Sequence, residues 1–238
     1  VTLDPRVLAT FNRQTLAVRT RVQSYASAQF AAGQYRDADM ARFVSQVTPK
    51  VLAGRRQVSA MTDAYLTQML QESGIKAPRR GPIDTAALRG VPVEDVYARP
   101  YQTVWTALGK GDAFDAAISA GAARLGALIA TDMQMAKTYT SRDVLSHSRG
   151  VTGYLRVPSG VNTCALCEAA STRTYYVQDL MPIHANCGCS VEPIKEASRL
   201  WTPADSQAVY DVADHGEIGP VLVRAGDHFT TAEDILAA

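Results

Sequence analysis

Apolar residues recur at helical spacing through most of the first half of the chain. Asp4-Pro5 places an N-cap before a proline at the first helical position. Val7, Phe11, Val18, Val22 and Tyr25 then follow at steps of three or four or their multiples, which is one face of a helix stopping near Gly33. Asp37 opens a second helix with Met40, Val44 and Val47 on one side. Thr48-Pro49 predicts a fresh cap or a kink, because proline removes an amide donor and crowds the preceding turn. Val51, Val58, Met61, Tyr65 and Met69 carry the stripe on to Ser73-Gly74. Helix returns over 94–108, with Val96, Tyr97, Val104, Trp105 and Leu108, until Gly109-Lys110-Gly111 breaks it. The next helix is expected over 112–138, facing inward through Ile118, Ala122, Leu125, Ile129 and Met133, with a short helix at 141–148 after it. Its alanines and glycines permit close packing against a neighbour. The stripes read as contacts between helices in a core, and a face kept for a partner is the alternative.

The period changes after Gly150. The run from Val151 to Val157 alternates and meets a turn at Pro158-Ser159-Gly160; Thr172–Val177 is rich in β-formers; Cys189–Ile194 reads as a short strand containing Pro193. Thr202-Pro203 caps a last helix to about Ala213, residues 220–226 read as a strand, and Thr230-x-x-Glu233 reads as a capping box. The expected fold class is α+β: a mainly helical N-terminal region followed by a small β-rich module stapled by zinc. The segments are 1–74 (helical), 75–93 (a Pro/Arg-rich linker or arm), 94–149 (helical), 150–196 (the β-rich Cys/His module) and 197–238 (an acidic tail).

Charge sharpens this division. Net charge is +1 overall, but residues 1–110 carry 15 Lys/Arg against 8 Asp/Glu, residues 111–200 balance, and residues 201–238 set Arg224 against 7 acids. A basic N-terminal part with an acidic tail fits either solvated helix faces or a surface for nucleic acid or an acidic partner. Arg79 and Arg80, in the linker, are the candidate contacts to a partner or to DNA. Asp4 and Arg6 interrupt any secretory h-region, and Arg124 interrupts the most apolar stretch, so a soluble chain with no membrane contact is expected.

All 4 cysteines lie between 164 and 189. Cys164-x2-Cys167 lets two thiolates grip one ion from a tight turn, and His184-x2-Cys187-x-Cys189 supplies a second group of donors. Five donors compete for four tetrahedral positions; Cys164, Cys167, His184 and Cys189 are preferred, with Cys187 next. Disulfides are one alternative, and a redox or nucleophilic thiol is another, though no βαβ pattern surrounds the C-x2-C. The chemistry points to structural rather than catalytic Zn2+. The sequence has no His-x-Glu upstream of the cysteines and no H-E-x-x-H, P-loop or G-x-S-x-G. Glu168 is the acid nearest the C-x2-C, and His147, His215 and His228 are scattered.

The lead-in Arg156-Val157-Pro158-Ser159-Gly160, the C-x2-C, a spacer with Tyr175-Tyr176, the His184-x2-Cys187-x-Cys189 group and a strand with Pro193 together resemble the signature of MuF-like minor head proteins of tailed bacteriophages, particularly those infecting actinobacteria. The likeness covers about residues 150–194, and the helices upstream fit the family's general plan. It implies a structural minor capsid protein, made in the host cytoplasm and carried inside the phage head near the portal vertex. Its implied partners are the portal protein, the major capsid or scaffold proteins and the packaged DNA, with roles in head assembly, DNA packaging and ejection. Some relatives are labelled capsid maturation proteases or carry an added toxin or enzyme domain. No catalytic signature accompanies the pattern here, and the segment after it is short for such a domain, so no enzyme is expected. A maturation protease and a zinc-module nucleic-acid binder are the alternatives.

Overall fold

The structure, a computed structural model, describes residues 5–158, 167, 170–171, 174–180, 188–194, 222–225 and 228–231. Among these are four α-helices: α1 (Pro5–Ala31), α2 (Asp37–Glu72), α3 (Val93–Gly109) and α4 (Phe114–Ser146). Strands β1 (Gly153–Val157), β2 (Thr174–Tyr175) and β3 (Ser190–Ile194) form an antiparallel sheet in the order β2-β1-β3. A further antiparallel pair, β4 (Leu222–Ala225) and β5 (His228–Thr231), follows. The protein is thus mainly helical with a small antiparallel sheet, an α+β fold.

Two expected fresh helix starts are absent. α2 runs through Pro49, and α4 continues across the boundary placed at 138–141. Around Pro49, Val47, Thr48 and Val51 are all buried, so packing on both sides of the proline outweighs one missing backbone bond. In α4, Ala136, Thr138, Thr140, Ser141 and Val144 are likewise buried across the expected break, and Ser141 returns its hydroxyl to the Lys137 carbonyl at 2.9 Å. The stop at Ser73-Gly74 is where α2 ends. Gly74 takes φ +67°, and the Ile75 amide donates to the Leu70 carbonyl at 2.7 Å, a glycine-terminated cap closed by two buried apolar side chains. Thr230 lies in β5 rather than at a helix start. The helix expected over 202–213 lies outside the described residues.

The chain divides into two compact units. One takes in Arg13–Ala60 and Asp84–Ala136. Its core holds Val18, Val22, Val47, Val51, Val58, Val104, Leu125 and Ile129 from the expected stripes, together with Phe30 and Phe43, which the stripes left out. Gly54 and Gly121 mark close approaches: a Cβ on Gly54 would stand 2.9 Å from Val22, and one on Gly121 would stand 2.6 Å from Val104 and 2.8 Å from Phe30. The start of α4 turns Ala117 and Gly121 inward and leaves Ala122 exposed, one residue off the expected face. Tyr101 sits among Phe30, Tyr35, Phe43 and Trp105, with ring centroids 5.2–6.2 Å away, and burial raises its phenol to about 12. Tyr35 adopts φ +58°, and its carbonyl accepts the Trp105 indole N–H at 2.7 Å.

The other unit takes in Val1–Asn12, Met61–Ile83 and Lys137–Ala238. Its core joins Phe11 of α1, Tyr65, Leu66, Met69 and Leu70 of α2, and Val144 and Leu145 of α4 to Tyr154, Tyr175, Leu180 and Val191 from the sheet region. Among the described residues, the β-rich segment thus shares a core with helix ends. Phe11 stacks on Tyr65 with ring centroids 4.3 Å apart, and Tyr154 on Tyr175 at 5.3 Å. β3 lies at the edge of the β2-β1-β3 sheet, a position that tolerates Pro193.

By length and composition α4 is apolar enough to cross a membrane. In this fold Leu125, Ile129 and Met133 are core residues, and Asp132 and Lys137 make polar contacts inside the protein.

Candidate metal centre

The sheet register sets the exit of β1 beside the entry to β3. β1 and β3 are antiparallel with Val157 opposite Ser190. The chain thus leaves β1 toward the C-x2-C at the same end of the sheet where Cys189 leads into β3. Cys167 and Cys189 are both buried, at 3 % and 5 % exposure, and pack together in a small cluster of their own. The two are not bonded to each other. One comes from the C-x2-C and the other from the His/Cys group, so these two donors, which belong to the preferred ligand set, share one place. Cys164, His184 and Cys187 lie outside the described residues, as does Glu168. No group of three His, Cys, Asp or Glu side chains stands together among the described residues. Two buried thiols from separate segments suit a soft divalent ion, so the residues present fit zinc.

Cations lie close in the fold. Lys137 of α4 is buried, donates from Nζ to the Gly188 carbonyl at 2.7 Å, and stands 5.9 Å over the Phe11 ring. Arg156 of β1 is buried with its guanidinium 5.7 Å from the Tyr154 ring and 5.5 Å from the Tyr175 ring. On the residue after Cys189, the Ser190 hydroxyl donates to Asn12 Oδ1 at 2.8 Å. Burial raises the Glu192 carboxyl, and burial with the nearby Glu192 charge raises the Tyr65 phenol. His147 is an exposed helix-end histidine with Nδ1 2.8 Å from the Asp143 carbonyl, and nothing places it near the thiols.

The two linker arginines differ. Arg79 is exposed. Arg80 has a side chain only 10 % exposed and pairs with both Asp63 of α2 and Asp143 of α4, the latter at 2.5 Å. Its guanidinium holds the extended segment against two helices of its unit, and those carboxylates compete with any phosphate for it.

A second polar centre was not anticipated. In the helical unit, Asp132 is 0 % exposed and accepts from Arg55 Nη2 at 2.6 Å and Nε at 3.2 Å, from Arg89 Nε at 2.5 Å and from Tyr97 OH at 2.7 Å. Arg55 Nη1 also donates to the Thr85 and Ala86 carbonyls at 3.2 Å. Burial and the Asp132 charge raise the Tyr97 phenol, which keeps it a donor. The sequence carried a faint signal. Arg55 lies between Val51 and Val58 on one helical stripe, and Asp132 lies among Leu128, Ile129 and Met133, so each charge falls on an apolar face. Compared with family models, curated proteins and solved structures, the chain matches none.

Proposed function

We propose that this protein is a structural minor head protein of a tailed phage, seated inside the head at the portal vertex, with one Zn2+ closing its Cys/His segment. The observation that supports this most directly is the buried pairing of Cys167 with Cys189. It joins the two halves of the pattern on which the resemblance rests. Cys167 and Cys189 would hold the ion with two of Cys164, His184 and Cys187. A closed set of this kind adds folding free energy and performs no chemistry on a substrate. The helices and the shared core supply the frame, and the exposed Arg79 remains available to a portal surface or to packaged DNA.

Metal analysis with a thiol count on the purified protein tests the chemistry, and co-purification with the portal, capsid and scaffold proteins tests the role. One zinc per chain, no disulfide and retention on portal rings are expected. Thiols joined to each other in metal-free protein would overturn the zinc site. Retention on DNA but not on portal rings would overturn the portal role. Cleavage of capsid subunits that persists without metal would replace the structural role with a maturation protease.

A further inference from the structure

Cys189 is flanked on both sides by side-chain bonds from helices. Before it, the Gly188 carbonyl accepts Lys137 Nζ of α4 at 2.7 Å; after it, the Ser190 hydroxyl donates to Asn12 Oδ1 of α1 at 2.8 Å. Lys137, Cys189 and Ser190 are 6 %, 5 % and 3 % exposed. Lys137 also lies four residues beyond Met133, on the apolar stripe of α4. Burying an ammonium there costs free energy that a leucine would not, so the position invites a reason beyond packing.

We propose that Lys137 and Asn12 are positioning residues which fix the backbone on either side of Cys189 and so hold its thiol ready for the ion. This rests on the zinc reading above. A ligand held before the metal arrives loses less freedom on binding, and outer groups of this kind commonly set metal affinity. The helices supply the rigidity: α1 and α4 contribute Phe11, Val144 and Leu145 to the same core as Val191 of β3. The clamp acts on the backbone next to the ligand, and neither residue is itself assigned as a ligand.

The test uses the full chain with Lys137→Met, which keeps the stem and removes the donor, and Ser190→Ala, which removes one oxygen and is expected to fold. Zinc affinity is measured by competition with a chromophoric chelator. In parallel, alkylation of each cysteine is followed by mass spectrometry in metal-free protein, with Cys167 as the internal reference. Each variant should weaken zinc binding by about tenfold and speed alkylation of Cys189 relative to Cys167, with the far-UV circular dichroism unchanged. Wild-type zinc affinity and wild-type Cys189 reactivity in both variants would overturn the clamp. Equal acceleration at Cys167 and Cys189 would also overturn it, by showing general loosening. If wild-type protein binds no zinc but the variants still expose Cys189 selectively, the clamp stands and the metal reading falls.

Discussion

Replacing Asp132 by asparagine keeps the shape of the side chain and removes its charge. In the native protein this carboxylate faces two guanidinium groups and a phenol, with Arg55 at 1 % exposure and Asp132 at 0 %. In the variant, Arg55 and Arg89 lose their common counter-charge, and the new amide NH2 must face a guanidinium, with the Tyr97 hydroxyl the one of these neighbours that could accept from it. Removing one partner of a buried pair costs about 3–5 kcal/mol, because the remaining charge stays out of water uncompensated. Tyr97→Phe loses one hydrogen bond to a charged acceptor, about 1.5–3 kcal/mol, and should be milder. Urea unfolding followed by circular dichroism would measure both. Hydrogen exchange should localise the Asp132→Asn effect to residues 84–92, whose Thr85 and Ala86 carbonyls hang on Arg55. A loss below about 1 kcal/mol for Asp132→Asn, or unchanged exchange at 84–92, would refute the claim that this carboxylate organises the extended segment.

The remaining predictions concern other parts of the chain. Gly33→Ala should destabilise by about 1–3 kcal/mol through overpacking, because the new Cβ would stand 2.5 Å from the Tyr101 hydroxyl; with Tyr101→Phe in place most of that cost should vanish, and equal costs in both backgrounds by urea titration would count against the clash. Tyr101→Phe alone should leave stability equal or higher, since the hydroxyl is buried without a hydrogen-bond partner among the described residues. Arg80→Glu should lower the melting temperature by placing a third acid beside Asp63 and Asp143, whereas Arg79→Glu should leave it unchanged and weaken salt-sensitive binding to DNA or portal; a reversed ranking in thermal melts would reject this division. Chelation or Cys164→Ser should speed hydrogen exchange in β1 and β3 while the helical unit keeps its protection, and no change in either place would reject the staple.

Sequence and fold diverge where a local signal competes with a distant one. Helical periodicity survives because each stripe sums many apolar contacts: Phe11, Val18 and Val22 are all buried as their spacing implies. The fresh helix starts expected at Pro49 and near residue 140 do not form, because each is a local penalty set against burial along a whole helix face. The strands at 153–157 and 190–194 are legible from alternation and bounding turns, whereas the packing of Cys167 on Cys189 is not written in either strand. The partners of a buried charge are a different kind of information. An arginine between Val51 and Val58 announces that it is buried, but nothing within a few residues says that its acid lies 77 positions away. Lys137 and the segment from 75 to 92 follow the same logic. A lysine on an apolar stripe and a run of prolines and arginines look respectively like an error in the pattern and a loose arm. Each becomes intelligible through long-range bonds: Lys137 to Gly188, Arg80 to Asp63 and Asp143, and Arg89 to Asp132. A charge that breaks an apolar stripe is therefore the feature of this sequence that most repays attention, because the cost of burying it requires a partner, and here those partners tie down the segments whose conformation the pattern left open.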